Sequence, residues 1–131
     1  MQLDVIPAGP IDTNAYLLSS PDRGEALLID APGQVWPEVK PLLAQRGCRL
    51  VELWITHGHW DHMQGVAEVV RATDAKVLAH ADDRALIETP EIMERFMGER
   101  LGLEGVRVDH WFSPGEIRSA AGLAAEVRHV P

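Results

Sequence analysis

The sequence predicts one α+β layered domain, and three observations carry that expectation. Short β-rich apolar runs alternate irregularly with stretches of helical periodicity, a pattern of mixed strand and helix layers rather than of a doubly wound sheet. No internal repeat, low-complexity tract or linker interrupts the 131 residues, and 46% hydrophobic residues suffice for one core of ordinary size. The apolar run Leu50-Val51-Glu52-Leu53-Trp54-Ile55 reads as a buried strand and opens directly into a turn dense in imidazole and carboxylate.

A first short strand is expected over residues 3–7, broken by Ala8-Gly9-Pro10. Residues 13–19 have the β-rich character of a second strand, and Ser20-Pro21-Asp22-Arg23-Gly24 is strong turn chemistry. The third strand, 25–30, follows at once, so an antiparallel hairpin is the simplest pairing. A helix is predicted over 37–45, with Pro37 in its first turn, Gly47 as its stop and Pro41 as a source of irregularity.

Residues 49–55 form the strand that leads into the polar turn, and a helix over 63–72 follows it. Val66, Val69 and Val70 give that helix its apolar face, while Gly65 permits close approach at its start. A short strand over 76–79 ends at His80, with helices expected over 82–88 and 90–101. Strands are placed at 106–112, around Ile117 and at 123–130.

Within Thr56-His57-Gly58-His59-Trp60-Asp61-His62, three imidazoles and one carboxylate fall in six consecutive residues. Neutral imidazole and carboxylate are the ligands that borderline divalent ions such as zinc prefer, and a turn at a rigid strand end can aim several of them at one point. By spacing alone this is a metal site. The charge balance argues against other functions: 12 Lys and Arg against 20 Asp and Glu give −8, with no basic run to follow a phosphate backbone. No nucleic-acid partner and no membrane partner is therefore expected. Cys48 is the single cysteine, which excludes an intramolecular disulfide and fits a reducing compartment. The first residues carry no basic segment followed by an apolar one, so a soluble, cytoplasmic protein is expected.

The string His57-x-His59-x-Asp61-His62 resembles the signature of the metallo-β-lactamase fold superfamily. Thr13-Asn14-Ala15-Tyr16-Leu17 is similar to that family's early Asn-x-Tyr strand, and Leu28-Ile29-Asp30-Ala31-Pro32-Gly33 to its Ile-Asp-x-Gly turn. Among subgroups the arrangement is most similar to glyoxalase II-like hydrolases. The resemblance implies an αβ/βα sandwich, of which these residues would form the N-terminal portion. It implies that His57 and His59 bind a first metal ion and that Asp61 and His62 bind a second, with Asp61 also acting on the nucleophile's proton. Two zinc ions per complete site are expected, iron or manganese being alternatives. The implied reaction is attack of a metal-activated water on a small-molecule thioester or other acyl substrate. Lactonases, β-lactamases and iron-dependent persulfide dioxygenases share the ligand string. Asp30 is implied as a partner that fixes a ligand.

In the family the third ligand of the first site lies in a Pro-Gly-His turn, and here Pro131 occupies the Pro position. The chain is thus expected to be a C-terminally incomplete domain. A second expectation follows: a catalytically incompetent half-domain that self-associates through an uncovered apolar face. Gln64 departs from the Gly usual in the family. His80, His110 and His129 are read as ordinary polar residues, Trp60 as a pocket or shielding residue, Cys48 as packing, and Met93, Phe96 and Met97 as core.

Overall fold

A computed structural model describes residues 1–89, 91–98 and 104–127, with only the backbone of residues 93, 96 and 97. Strands β1 (Gln2–Ala8), β2 (Thr13–Ser20) and β3 (Glu25–Ile29) form an antiparallel meander, with Ile6 opposite Ala15 and Leu17 opposite Leu28. From β3 onward the pairing becomes parallel. β4 (Arg49–Ile55), β5 (Lys76–His80) and β6 (His110–Phe112) add in sequence order to complete a six-stranded mixed sheet. Parallel neighbours need long crossovers, and helices supply them. α1 (Trp36–Arg46) links β3 to β4, and α2 (Trp60–Met63) with α3 (Val66–Thr73) links β4 to β5. A 3-10 turn (Ala81–Asp83), α4 (Arg84–Glu88) and α5 (Glu91–Met97) follow β5. A separate hairpin of β7 (Ile117–Ala120) and β8 (Leu123–Glu126) lies beyond β6.

This topology brings the site together. The ends of β3, β4 and β5 share one edge because those strands are parallel, and the start of β2 joins them because β2 runs the other way. Crevices outside the carboxyl ends of parallel strands are where such sheets place ligands.

Alternation along the strands sorts apolar residues onto two faces. One face buries Ala15, Leu17, Leu28, Leu53, Ile55 and Val77 against Val39 and Leu43 of α1, Val66 and Val69 of α3, and Ile87 of α4. The other packs Leu27, Trp54, Leu78 and Phe112 beneath the β7–β8 hairpin, with Trp54 and Phe112 edge to face at 5.5 Å. Glu52 is buried on this second face, where it accepts from Trp54 Nε1 and from both Nε and Nη2 of Arg118 on β7. The hairpin leaves the β1–β2 end uncovered: Leu3 and Val5 stay 57% and 52% exposed, with Tyr16 opposite Val5.

Several boundaries differ from expectation for identifiable reasons. The helix expected over 63–72 is two helices, because Gly65 lies under the backbone after β3. Its N–H donates to Ala31 O at 2.8 Å, and a Cβ there would stand 2.2 Å from Pro32 O. α1 passes through Pro41 without a break, its side chain being exposed, and ends at Gly47 with φ 63°. The strand expected over 106–112 shrinks to His110–Phe112 because Asp109 pairs irregularly with β5: its N–H donates to Val77 O and its carboxylate accepts from Val77 N. β3 stops at Ile29 because Asp30 turns to φ 65°. Of the helix expected over 90–101, Glu91–Met97 is helical, while Pro90 and residues 99–101 lie outside the described residues. The last strand is Leu123–Glu126, and residues 128–130 also lie outside. So do the side chains of Met93, Phe96 and Met97.

Candidate metal centre

Asp30 organises the strand-end crevice. It is 2% exposed, and its carboxylate accepts from Thr56 N at 2.8 Å and Thr56 Oγ1 at 2.7 Å. The same carboxylate meets His62 Nδ1 at 2.7 Å. Proton accounting then assigns the tautomers. The carboxylate only accepts, so His62 donates its Nδ1–H, and in the neutral ring Nε2 then keeps a lone pair. Thr56 has spent its one hydroxyl proton on Asp30, so at 2.9 Å from His57 Nδ1 it accepts. His57 also carries its proton on Nδ1 and presents a bare Nε2. Burial first, then His62 and His59, hold His57 below the ordinary imidazole range, against the opposing pull of Asp30 and Asp61. The neutral ring is the form that can ligate.

The three imidazoles converge, with ring centroids of His57 and His62 3.9 Å apart and those of His57 and His59 4.6 Å apart. His59 is exposed at the end of the turn, and its carbonyl accepts from His62 N to open α2. Asp61, in that first turn, places Oδ2 3.4 Å from His62 Nε2. In a neutral His62 both atoms are acceptors with no proton between them. Two donors bound to one tetrahedral zinc at about 2.0–2.1 Å would stand about 3.3–3.4 Å apart, so the pair has the spacing of atoms that share a cation. Among the described residues no three His, Cys, Asp or Glu side chains close into a finished cage. In donor chemistry and in this spacing, the residues present fit partial ligand sets for zinc-like ions.

Two contributions were not visible in the motif's spacing. Thr13 Oγ1 donates to Asp61 Oδ2 at 2.9 Å from 48 residues away. The only signal for it was a hydroxyl in register with the inward residues Ala15 and Leu17. Gly58, between the first two histidines, is where α4 lies against the turn: a Cβ there would meet Leu86 Cβ at 2.9 Å and Ile87 Cγ1 at 3.3 Å.

The remaining singled-out residues behave differently. His80 ends β5 and accepts from Asp82 N at 3.2 Å, as a hydrogen-bonded histidine. His110 pairs with Glu116 at 2.6 Å beside the hairpin. Trp60 is half-buried, Cys48 Sγ reaches Arg46 O, and Gln64 lies against Gly33. His129 lies outside the described residues.

Comparison with known proteins shows the family and the fold. Residues 8–131 match the Metallo-beta-lactamase superfamily, and the chain belongs to that family. A hydroxyacylglutathione hydrolase of Roseobacter denitrificans is 36% identical over 98 residues, covering 75% of this chain and 37% of its own length. The chain thus spans well under half the length of that curated relative. Among solved structures, the B3 metallo-beta-lactamase BLEG-1 superposes with a TM-score of 0.84 at 26% identity, over 99% of this chain and 62% of that one. TTHA1623 in a di-iron-bound form superposes with a TM-score of 0.69 at 29% identity, over 86% of this chain and 55% of that one. The fold is the metallo-β-lactamase fold. No helix among the described residues is long and apolar enough to cross a membrane.

Proposed function

We propose that these residues serve a metal-dependent hydrolase acting on a thioester or other activated acyl substrate, with glyoxalase II-like chemistry. The observation that carries the reading is the pair His62 Nε2 and Asp61 Oδ2, 3.4 Å apart with the far side of the imidazole already bound to Asp30. In this reading His57 and His59 hold one ion, and Asp61 and His62 hold a second. Zinc is the first expectation and iron or manganese the alternatives. When bound, the metal pair supplies an acidified water and a Lewis acid for the acyl carbonyl.

The chain's own residues do the rest. Asp30 and Thr56 keep the Nδ1 atoms of His62 and His57 protonated and their rings fixed, so that both Nε2 lone pairs face the crevice. Asp61 also orients the nucleophile and takes its proton. Similarity to a hydroxyacylglutathione hydrolase supports a glutathione thioester as the substrate class. The test is hydrolysis of a hydroxyacylglutathione by zinc-loaded protein, beside a lactone and a β-lactam. Turnover of the thioester that is lost in Asp61→Asn supports the reading. Turnover of the β-lactam alone redirects it to that reaction.

A second reading has its own observation: among the described residues no three His, Cys, Asp or Glu side chains group to hold one ion. The chain would then bind metal without turning over, and the exposed Leu3, Val5 and Tyr16 would support self-association. Metal binding with no turnover of any substrate favours it.

A further inference from the structure

Thr13 starts β2 on the face turned toward the helices, where Ala15 and Leu17 follow at alternate positions and are fully buried. Thr13 itself is 9% exposed. Buried hydroxyls are as a rule hydrogen-bonded. This one finds Asp61 Oδ2 at 2.9 Å, and this is the same oxygen that stands 3.4 Å from His62 Nε2. We infer that Thr13 is a positioning residue for Asp61, pinning one carboxylate oxygen in the place where it can share a cation with His62.

The inference rests on the metal-site reading above and adds a residue to it. A carboxylate turns easily about its terminal torsion, which is broad rather than three-welled. Asp61 sits on a four-residue helix and has little of its own element to restrain it. Thr13 belongs to β2 and pairs with Ala8 of β1, and the same strand pairs with β3 from Tyr16 onward, so the hydroxyl sits on the sheet. The preceding turn places it: Gly9 and Asp12 both have positive φ, and Asp12 N donates to Gly9 O at 3.3 Å. Asp30 orients His62 from the turn after β3, and Thr13 orients Asp61 from β2. The two donors of the pair are thus held from two separate places on the sheet edge. Ligating carboxylates are commonly hydrogen-bonded in this way, and losing such a partner typically weakens metal binding 10–100-fold.

A merely structural tie between β2 and α2 would act on stability and leave metal affinity alone, which separates the two roles. Zinc affinity is measured by competition against a chromophoric chelator, and the melting temperature of each metal-free protein is measured in parallel. Thr13→Val, which removes the hydroxyl but keeps the volume, is expected to weaken zinc binding about 10–100-fold. Thr13→Ser, which keeps the hydroxyl, is expected to bind close to the wild type. Thr13→Ala carries the same expectation as the valine variant and replaces it if that protein does not fold. A Thr13→Val protein that melts lower yet binds zinc as tightly as the wild type overturns the inference, provided Asp61→Asn weakens binding. If Asp61→Asn also binds zinc as tightly as the wild type, the metal-site reading itself falls.

Discussion

Asp30 adopts a left-handed backbone at φ 65°, a conformation that costs an ordinary side chain about 1–3 kcal/mol and that Asp tolerates better than most. The cost is offset by three contacts to one buried carboxylate, from Thr56 N, Thr56 Oγ1 and His62 Nδ1. Asp30→Ala should therefore destabilise the fold by about 2–3 kcal/mol, read from urea unfolding. It should also release His62 and weaken zinc binding about 10–100-fold. A variant with wild-type stability and wild-type affinity would remove Asp30 from the account. A second carboxylate gives a pH-dependent expectation away from the site. Ser113 N–H, then His110, hold Glu116 below the ordinary carboxylate range. A depressed folded value means that this contribution is fully present above the unfolded value near 4.5 and is lost as pH falls through the folded one. In His110→Ala the Glu116 titration followed by NMR should move up toward the ordinary range. An unmoved midpoint would show that the imidazole has no part in it.

At the scale of elements, the close packing of helices on the strand-end crevice rests on two glycines. Gly65→Ala sets a methyl 2.2 Å from the carbonyl oxygen of Pro32, backbone against backbone, so neither side can yield cheaply. A loss of roughly 3 kcal/mol or more, or failure to fold, is expected by thermal denaturation. Gly58→Ala meets the side chains of Leu86 and Ile87 instead and should shift α4 at a smaller cost. Equal stability of the two variants would contradict this ranking. The hairpin depends on a different contact. Arg118→Ala leaves Glu52 buried without its guanidinium and should cost about 1–3 kcal/mol, less than for a fully buried pair because Arg118 keeps some solvent contact. These elements also show where sequence reasoning stopped. Apolar β-rich runs and turn chemistry placed β1 to β5, and Pro37 and Gly47 placed α1, because these signals are local. They missed the break at Gly65 because what interrupts the helix is a loop more than 30 residues earlier. They overextended the strand at 106–112 because the Asp109 side chain takes a place that a ladder bond would have had.

For the molecule as a whole, the donor string was readable because it is contiguous, and a turn after a buried strand is a local event. Its supports were less so. Asp30 lies 32 residues from His62, and Thr13 lies 48 residues from Asp61; only the mixed topology, antiparallel β2 beside parallel β3 and β4, brings them to one edge. The resemblance to a family pointed to Asp30, and nothing in the spacing pointed to Thr13. The sheet's second face was expected to be bare, and the β7–β8 hairpin covers only part of it. Leu3, Val5 and Tyr16 remain exposed there, so sedimentation should show concentration-dependent association that Val5→Lys weakens. A monomer at every concentration would contradict that expectation.

The central claim is that Asp30 and Thr56 accept from the Nδ1–H groups of His62 and His57 and so leave both Nε2 atoms for the metal site. Long-range proton–nitrogen NMR of the imidazoles, recorded before and after zinc is added, tests it most directly. The account predicts Nδ1–H tautomers in the metal-free protein and a zinc-induced shift confined to Nε2 of both rings. Nε2–H tautomers, or imidazole signals that zinc leaves unmoved, would contradict it.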